Sequence, residues 1–295
     1  MKSEKNILIA FILNVLFSAF EFIGGFCTGS IAIISDAVHD LGDAASIGIS
    51  YLLEKKSKKE PDDNYTYGYG RYSVVGGAIT TVILLFSSFV VIANAAERIA
   101  NPTEVNYNGM IIIGIMGVII NLVAAYFTHD GESVNQKAVN LHMLEDVMGW
   151  VAVLAGAVVM RFTGYSVIDP LMSMGVAVFI IIGCIRNLKI IVNIVLDKTP
   201  RGINVAEIKE RLLETDGISD VHHIHLRSID GHSNSATLHI VTDSDTHRIK
   251  EAARAVLAEL GITHSTIETE SSAEYCEERI CDAVSSTDHI HKHSH

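Results

Sequence analysis

Six apolar runs constrain this chain more than anything else in it: Ile7 to Phe26, Ile31 to Leu53, Val74 to Ala96, Met110 to Thr128, Val139 to Met160 and Leu171 to Leu196. Each has roughly the 20 residues that a helix needs to cross a hydrocarbon core about 30 Å thick. The composition agrees, since 49% hydrophobic and only 19% charged residues over 295 positions is too apolar for a soluble domain of this size. A membrane-embedded, all-α bundle of six helices is expected over residues 1–199.

The basic residues set an orientation. Lys2 and Lys5 precede the first run, Lys55, Lys56, Lys58, Lys59 and Arg71 separate the second from the third, Lys137 precedes the fifth, and Lys198 and Arg201 follow the sixth. Only Arg98 and Arg161 lie on the other side, each at a helix end. This bias puts both termini in the cytoplasm. The first run is long enough to stay as a span, so no cleaved signal is expected. Short loops and the lack of a targeting segment point to a prokaryotic plasma membrane.

From Pro200 the composition changes, and residues 200–270 read as a small soluble domain. Val205, Ile208, Leu212 and Leu213 have helical spacing behind a capping Asn204. Val221 to Ile229 and Ala236 to Thr242 alternate as strands around the turn "DGHSN". Thr246 to Leu260 is helical up to Gly261, and Thr263 to Thr269 has the pattern of a third strand. The order α-β-β-α-β suits a sheet with helices on one face, whose open edge favours pairing with a second copy. Residues 271–295 form a tail containing Cys276, Cys281 and the alternating histidines His289, His291, His293 and His295. The tail is expected to be disordered and to collect metal weakly.

The net charge is −12, with many acids in the soluble domain and tail, so nucleic acid is excluded as a partner and a cationic ligand fits. The four cysteines do not form a disulfide framework. Cys27 and Cys184 lie in or near spans as small apolar residues. Cys276 and Cys281 are spaced more loosely than a zinc-knuckle pair.

The stretch "IISDAVHDLGDAASIG" sets Asp36, His39, Asp40 and Asp43 inside the second run. Ionisable groups within a span cost roughly 2.5–3.5 kcal/mol each on insertion scales, so they face water or a partner. His39 and Asp43 are four apart and share one helix face. "VNLHMLEDVMG" repeats the spacing with His142 and Asp146 in the fifth run. One such pair alone suits a proton relay as well as a metal. Two pairs on facing helices offer two imidazoles and two carboxylates, a tetrahedral set that suits zinc better than calcium or magnesium. Asp36 and Asp40 are candidates for the mouth of the site or for orienting its histidines. Glu21 and Asn121 are candidates to face the same cavity. No nucleophile elbow, phosphate loop or zinc-protease helix is present, so an enzyme is not expected.

"SDAVHDLGD", "LHMLED" and "YTYGYGRYSVVGG" resemble the signatures of the cation diffusion facilitator family, in its zinc-transporting branch, and the resemblance covers nearly all of residues 6–270. It implies that His39, Asp43, His142 and Asp146 form a transport site for Zn2+, with Cd2+ or Co2+ as further substrates. Arg71 and Asp197 correspond to an inter-helix charge contact near the cytoplasmic surface of a homodimer. The soluble domain would be ferredoxin-like, or metallochaperone-like, and would dimerise and bind zinc through His222, His239, His247 and Glu270, with Glu268 and His223 or His225 as neighbours. Two family features are absent: residues 54–70 contain no histidine, and residues 128–138 are short with only His129. The implied activity is zinc/proton antiport by alternating access. The alternative is a membrane metal sensor or scaffold with a static intramembrane zinc.

Overall fold

A computed structural model of the chain describes residues 2–28, 31–100, 107–130, 133–163 and 167–274. Cys276, Cys281 and the terminal histidines fall outside the described residues. The chain divides into two compact units, Met1–Asn193 and Ile194–His295.

The first unit is built on six long helices: α1 (Lys2–Thr28), α2 (Ile31–Ser57), α3 (Arg71–Ala100), α4 (Tyr107–His129), α5 (Val134–Thr163) and α6 (Ile168–Val195). Among the described residues, α1, α3, α5 and α6 are long and apolar enough to cross a membrane, and α4 contributes the shorter apolar stretch Gly114–His129. α2 is as long as α1, but its acids lower its hydropathy. The outward faces carry Leu16, Phe22, Phe86, Tyr126 and Phe179, each about half exposed or more. This is the surface that lipid covers in a multi-pass protein.

Inside the bundle α1 packs on α2 and α4, α4 on α5, and α3 on both α2 and α5. One apolar layer joins four of these helices through Ile7, Ala10, Ile47, Ala124, Val139 and Met143, all fully buried. α6 meets α3 and α5 through Leu84, Ile180, Cys184 and Leu141, and Asn187 Nδ2 donates to Thr81 Oγ1 at 2.7 Å. One turn beyond the apolar layer lies a polar clamp. Ser73 Oγ donates to Glu54 Oε2 at 2.8 Å, Asn135 Nδ2 donates to the Ser50 carbonyl at 2.8 Å, and the Ser50 hydroxyl donates to Asn135 Oδ1. The clamp satisfies polar groups that would be costly in an apolar bundle, and it ties α2, α3 and α5 together.

The second unit contains α7 (Val205–Leu213), β1 (Asp220–Ser228), β2 (Asn234–Val241), α8 (Thr246–Glu259) and β3 (Ile262–Glu270). Asn204 Oδ1 accepts from the Ala206 N–H at 2.9 Å and starts α7. Asp245 Oδ1 caps α8 by accepting from His247 and Arg248. In the β1–β2 turn Asp230 Oδ1 accepts from His232 and Ser233, while Gly231 takes φ 98°, which glycine adopts without strain. β1 and β2 are antiparallel, β2 and β3 are parallel with α8 as the crossover, and the order β1-β2-β3 leaves β1 and β3 at the edges. Ile208 and Leu212 of α7 and Ile249, Ala253 and Leu257 of α8 cover one face, against Val221, Leu226, Leu238, Ile240 and Ile267. The opposite face is polar. This is the expected α-β-β-α-β, ferredoxin-like arrangement.

Gly117 of α4 shows how tightly the bundle is packed: a Cβ there would lie 2.7 Å from three ring atoms of Trp150 on α5. Trp150 is itself held edge-on against Phe17, with ring centroids 5.9 Å apart. Gly117→Ala gains roughly 0.5–1 kcal/mol of helix propensity, but overpacking costs roughly 1–3 kcal/mol. The variant should therefore unfold at a lower temperature in detergent, and an unchanged or higher midpoint would contradict the close α4–α5 approach.

Candidate metal sites

α2 and α5 each turn a titratable stripe inward. Asp43, Ala44 and Ile47 lie on the buried face of α2, and Val139, His142 and Met143 on that of α5. Helical spacing brings Asp146 one turn on from His142. Among the described residues Asp43, His142 and Asp146 form one of two metal-capable groups, each with its ligand atoms within 4.8 Å of one another. His142 is 2% and Asp43 8% exposed, and His142 Nε2 stands 3.8 Å from Asp43 Oδ2. That is too long for a hydrogen bond. Zinc bonds of about 2.0–2.1 Å at tetrahedral angles put ligand atoms roughly 3.3 Å apart, so this group needs to contract by about 1.5 Å or less.

The fourth expected ligand, His39, stands on α2 four residues before Asp43, but its side chain and that of Asp36 lie outside the described residues. Asp40 is half-buried on the same helix. Glu21 and Asn121 are 1% and 2% exposed. Arg71 opens α3, and Asp197 follows α6 with φ 51°; both are exposed, and they fall in separate compact units.

Two polar contacts were not anticipated. Ser88 Oγ of α3 donates to Glu145 Oε1 at 3.0 Å, fixing a carboxylate directly beside Asp146. Glu54 is 2% exposed at the centre of the clamp. Both are acids in or next to apolar runs, which was the signal available in the sequence.

The second group lies on the polar face of the sheet. His222 pairs with His239 across β1 and β2, and Val241 with Glu270 across β2 and β3. Glu270 serves both imidazoles, with Oε2 3.3 Å from His222 Nε2 and Oε1 2.5 Å from His239 Nδ1. His222 is 8% exposed, and neither ring nitrogen makes a hydrogen bond although Asp220 lies 3.5 Å from Nδ1. Buried imidazole nitrogens facing carboxylates without hydrogen-bond alignment suit a metal better than a purely structural contact. The spacing is already close to what zinc requires.

Burial opposes ionisation of Asp220, but Lys209, 3.2 Å away, holds its carboxyl below the ordinary value. His225 is pushed down, first by desolvation against the sheet and then by His223 and His239. The structure groups His222, His239 and Glu270, and His247 stands outside that group. His247 lies in the first turn of α8, exposed, with Glu251 at 3.9 Å, because the Asp245 cap starts the helix there. Glu268 pairs with His239, its Oε2 3.3 Å from Nε2.

β1 also departs from regular pairing. Register slips between His222 and His225, and His223 takes φ 54°. A left-handed conformation costs a residue other than glycine roughly 1–3 kcal/mol and persists only where the surroundings enforce it.

Known proteins agree with this architecture. The profile of the cation efflux transmembrane domain matches residues 7–194, and that of the cation efflux protein cytoplasmic domain matches residues 200–272. The chain is 32% identical over 280 residues to a cadmium, cobalt and zinc/H(+)-K(+) antiporter of Bacillus subtilis (strain 168), covering 92% of this chain and 90% of the relative. It is 30% identical over 305 residues to the zinc transporter ZitB of Yersinia pestis, covering 99% and 96%. It is 28% identical over 274 residues to the metal cation efflux system protein CzcD of Cupriavidus metallidurans, covering 91% and 87%. With both domains matched, a multi-pass helical region carrying a metal-capable group and a ferredoxin-like domain carrying another, the chain belongs to the cation diffusion facilitator family of metal-cation efflux transporters, in its zinc-transporting branch.

Proposed function

We propose that the chain exports zinc from the cytoplasm in exchange for protons, with His39, Asp43, His142 and Asp146 as the transport site. The observation that carries this reading is the convergence of Asp43, His142 and Asp146 between two spans. Zinc needs neutral imidazole and ionised carboxylate, so each binding event releases protons and acid releases the metal. The donors are all nitrogen and oxygen, which admits Cd2+ and Co2+ as further substrates. The Bacillus relative carries all three metals in its name.

Alternating access needs a barrier on each side of the site in turn. Ile47 and Val139 lie one turn from Asp43 and His142 toward the 54–70 loop, followed by the Glu54–Ser73–Asn135 clamp. These two layers are the cytoplasmic barrier that opens to admit the ion. Asp36 and Asp40 guide the cation or orient its histidines. The protein acts as a homodimer in a prokaryotic plasma membrane with both termini in the cytoplasm. Residues 1–199 form the transport domain, residues 200–270 the metal-binding and dimerisation domain, and residues 271–295 a metal-collecting tail.

His222, His239 and Glu270 hold a regulatory zinc in the cytoplasmic domain. His247 is the fourth ligand that the family resemblance implies for it. Zinc bound there stabilises the folded domain by mass action.

In vesicles loaded with a zinc-sensitive dye, a pH gradient should drive zinc movement by the parent chain, and Asp43→Ala with Asp146→Ala should abolish it while the dimer survives. Undiminished flux in the variant would remove the site assignment. Zinc affinity should fall as pH drops through roughly 6.5, where imidazole takes up a proton, and a pH-independent affinity between 5.5 and 7.5 would argue against histidine ligands. Glu270→Gln should reduce the rise in unfolding temperature that zinc gives the parent, whereas Glu251→Gln, beside the exposed His247, should leave it intact. Equal rises in both variants would exclude Glu270 as a ligand.

A further inference from the structure

α5 is a wall that two sides of the bundle share. On one side Val139 and Met143 pack in the layer with α1, α2 and α4, and His142 and Asp146 form the metal-capable group with Asp43. Leu141 lies on the other side. It packs against Leu84 of α3 and against Ile180 and Cys184 of α6, and a Cβ on Gly183 of α6 would stand 2.9 Å from its Cδ1. Glu145 is one turn on from Leu141 and shares its face. Successive residues are about 100° apart around a helix, so Glu145 and Asp146, adjacent in sequence, enter different seams.

The carboxylate of Glu145 is met from α3. Ser88 is fully buried, and its Oγ lies 3.0 Å from Glu145 Oε1 and 2.9 Å from the Leu84 carbonyl, one turn back on its own helix. A hydroxyl has one proton to give. The Leu84 carbonyl would satisfy Ser88 by itself, so Ser88 does not depend on α5, whereas a carboxyl group in an apolar seam depends on a donor. The rotation of α5 is thereby fixed at two points. Asn135 in its first turn is bonded to Ser50 of α2, and Glu145 is bonded to α3 roughly 15 Å further along. His142 and Asp146 flank that second point. A metal site tolerates little rotation, since its ligands must stay within roughly 10–20° of the productive geometry.

We propose that Ser88 and Glu145 are a positioning pair for the transport site: their contact sets the rotation of α5 that aims His142 and Asp146 at Asp43, and Glu145 itself does not touch the cation. The role rests on the transport-site reading of His142 and Asp146. What it requires of Glu145 is an acceptor oxygen for Ser88, not a charge.

The test is the zinc dependence of pH-gradient-driven flux in vesicles, with KM and kcat read separately. Loss of folded protein lowers the apparent kcat and leaves KM alone, whereas misaimed ligands weaken zinc binding and raise KM. Ser88→Ala and Glu145→Leu should each raise KM about tenfold, the lower end of what contacts supporting metal ligands contribute. Glu145→Gln keeps the shape and an oxygen that accepts from Ser88, so it should recover the parental KM that Glu145→Leu loses. Combining Ser88→Ala with Glu145→Leu should be no worse than either change alone, because both remove one contact. A parental KM in Ser88→Ala, additive effects in the double variant, or a Glu145→Gln as impaired as Glu145→Leu would overturn the proposal. Asp146→Ala in the same series separates the two readings. Flux abolished there with Ser88→Ala at the parental KM removes the positioning pair and leaves the site, whereas normal flux in Asp146→Ala removes both. If Glu145→Leu does not fold, Ser88→Ala, which removes a single oxygen, decides in the same way.

Discussion

Everything in the membrane unit follows from the cost of holding carboxylates and imidazoles where water cannot solvate them. Such groups are tolerated in a span only when each finds a partner, an ion or a wet cavity. Asp43, His142 and Asp146 answer the constraint collectively, since together they present a group of ligand atoms able to hold a cation. The rest of the bundle is arranged around that fact. Fully buried Ile47 and Val139 lie one turn from Asp43 and His142, and the acids and amides beyond them are tied to one another.

The same chemistry recurs in the soluble unit under a different constraint. There, water is at hand and the protein must gather ligands against solvent competition. A sheet does this well because cross-strand neighbours are close. His222 and His239 face each other across β1 and β2, and Glu270 reaches both. Burying the opposite face against α7 and α8 fixes the register, so the polar side inherits its precision from the apolar side. Both groups hold their ligand atoms within 4.8 Å of one another.

Much of this was legible in the sequence. The apolar runs marked the helices within a few residues, and the i, i+4 spacing of His142 and Asp146 put both on the face of α5 that meets Asp43. The alternation of Ala236, Leu238 and Ile240 gave the core face of β2, and Asn204 and Gly261 marked helix ends. The clamp was not foreseen, because Ser50, Glu54, Ser73 and Asn135 come from three helices and no local pattern links them. His247 enters the ligand set only through the family resemblance, and a motif match carries no information about which way the first turn of α8 points. The register slip of β1 between His222 and His225 had left a trace: Val221 and Leu226 are both buried in the core yet five residues apart, an odd spacing that a regular strand cannot place on one face.

The most direct test of the central claim is zinc K-edge X-ray absorption on the full chain carrying His222→Ala and His239→Ala, loaded with less than one zinc per chain. The account predicts about four nitrogen and oxygen neighbours at roughly 2.0–2.1 Å, with imidazole outer-shell scattering and no sulfur. A sulfur neighbour, or a six-oxygen shell like that of hydrated zinc, would contradict it.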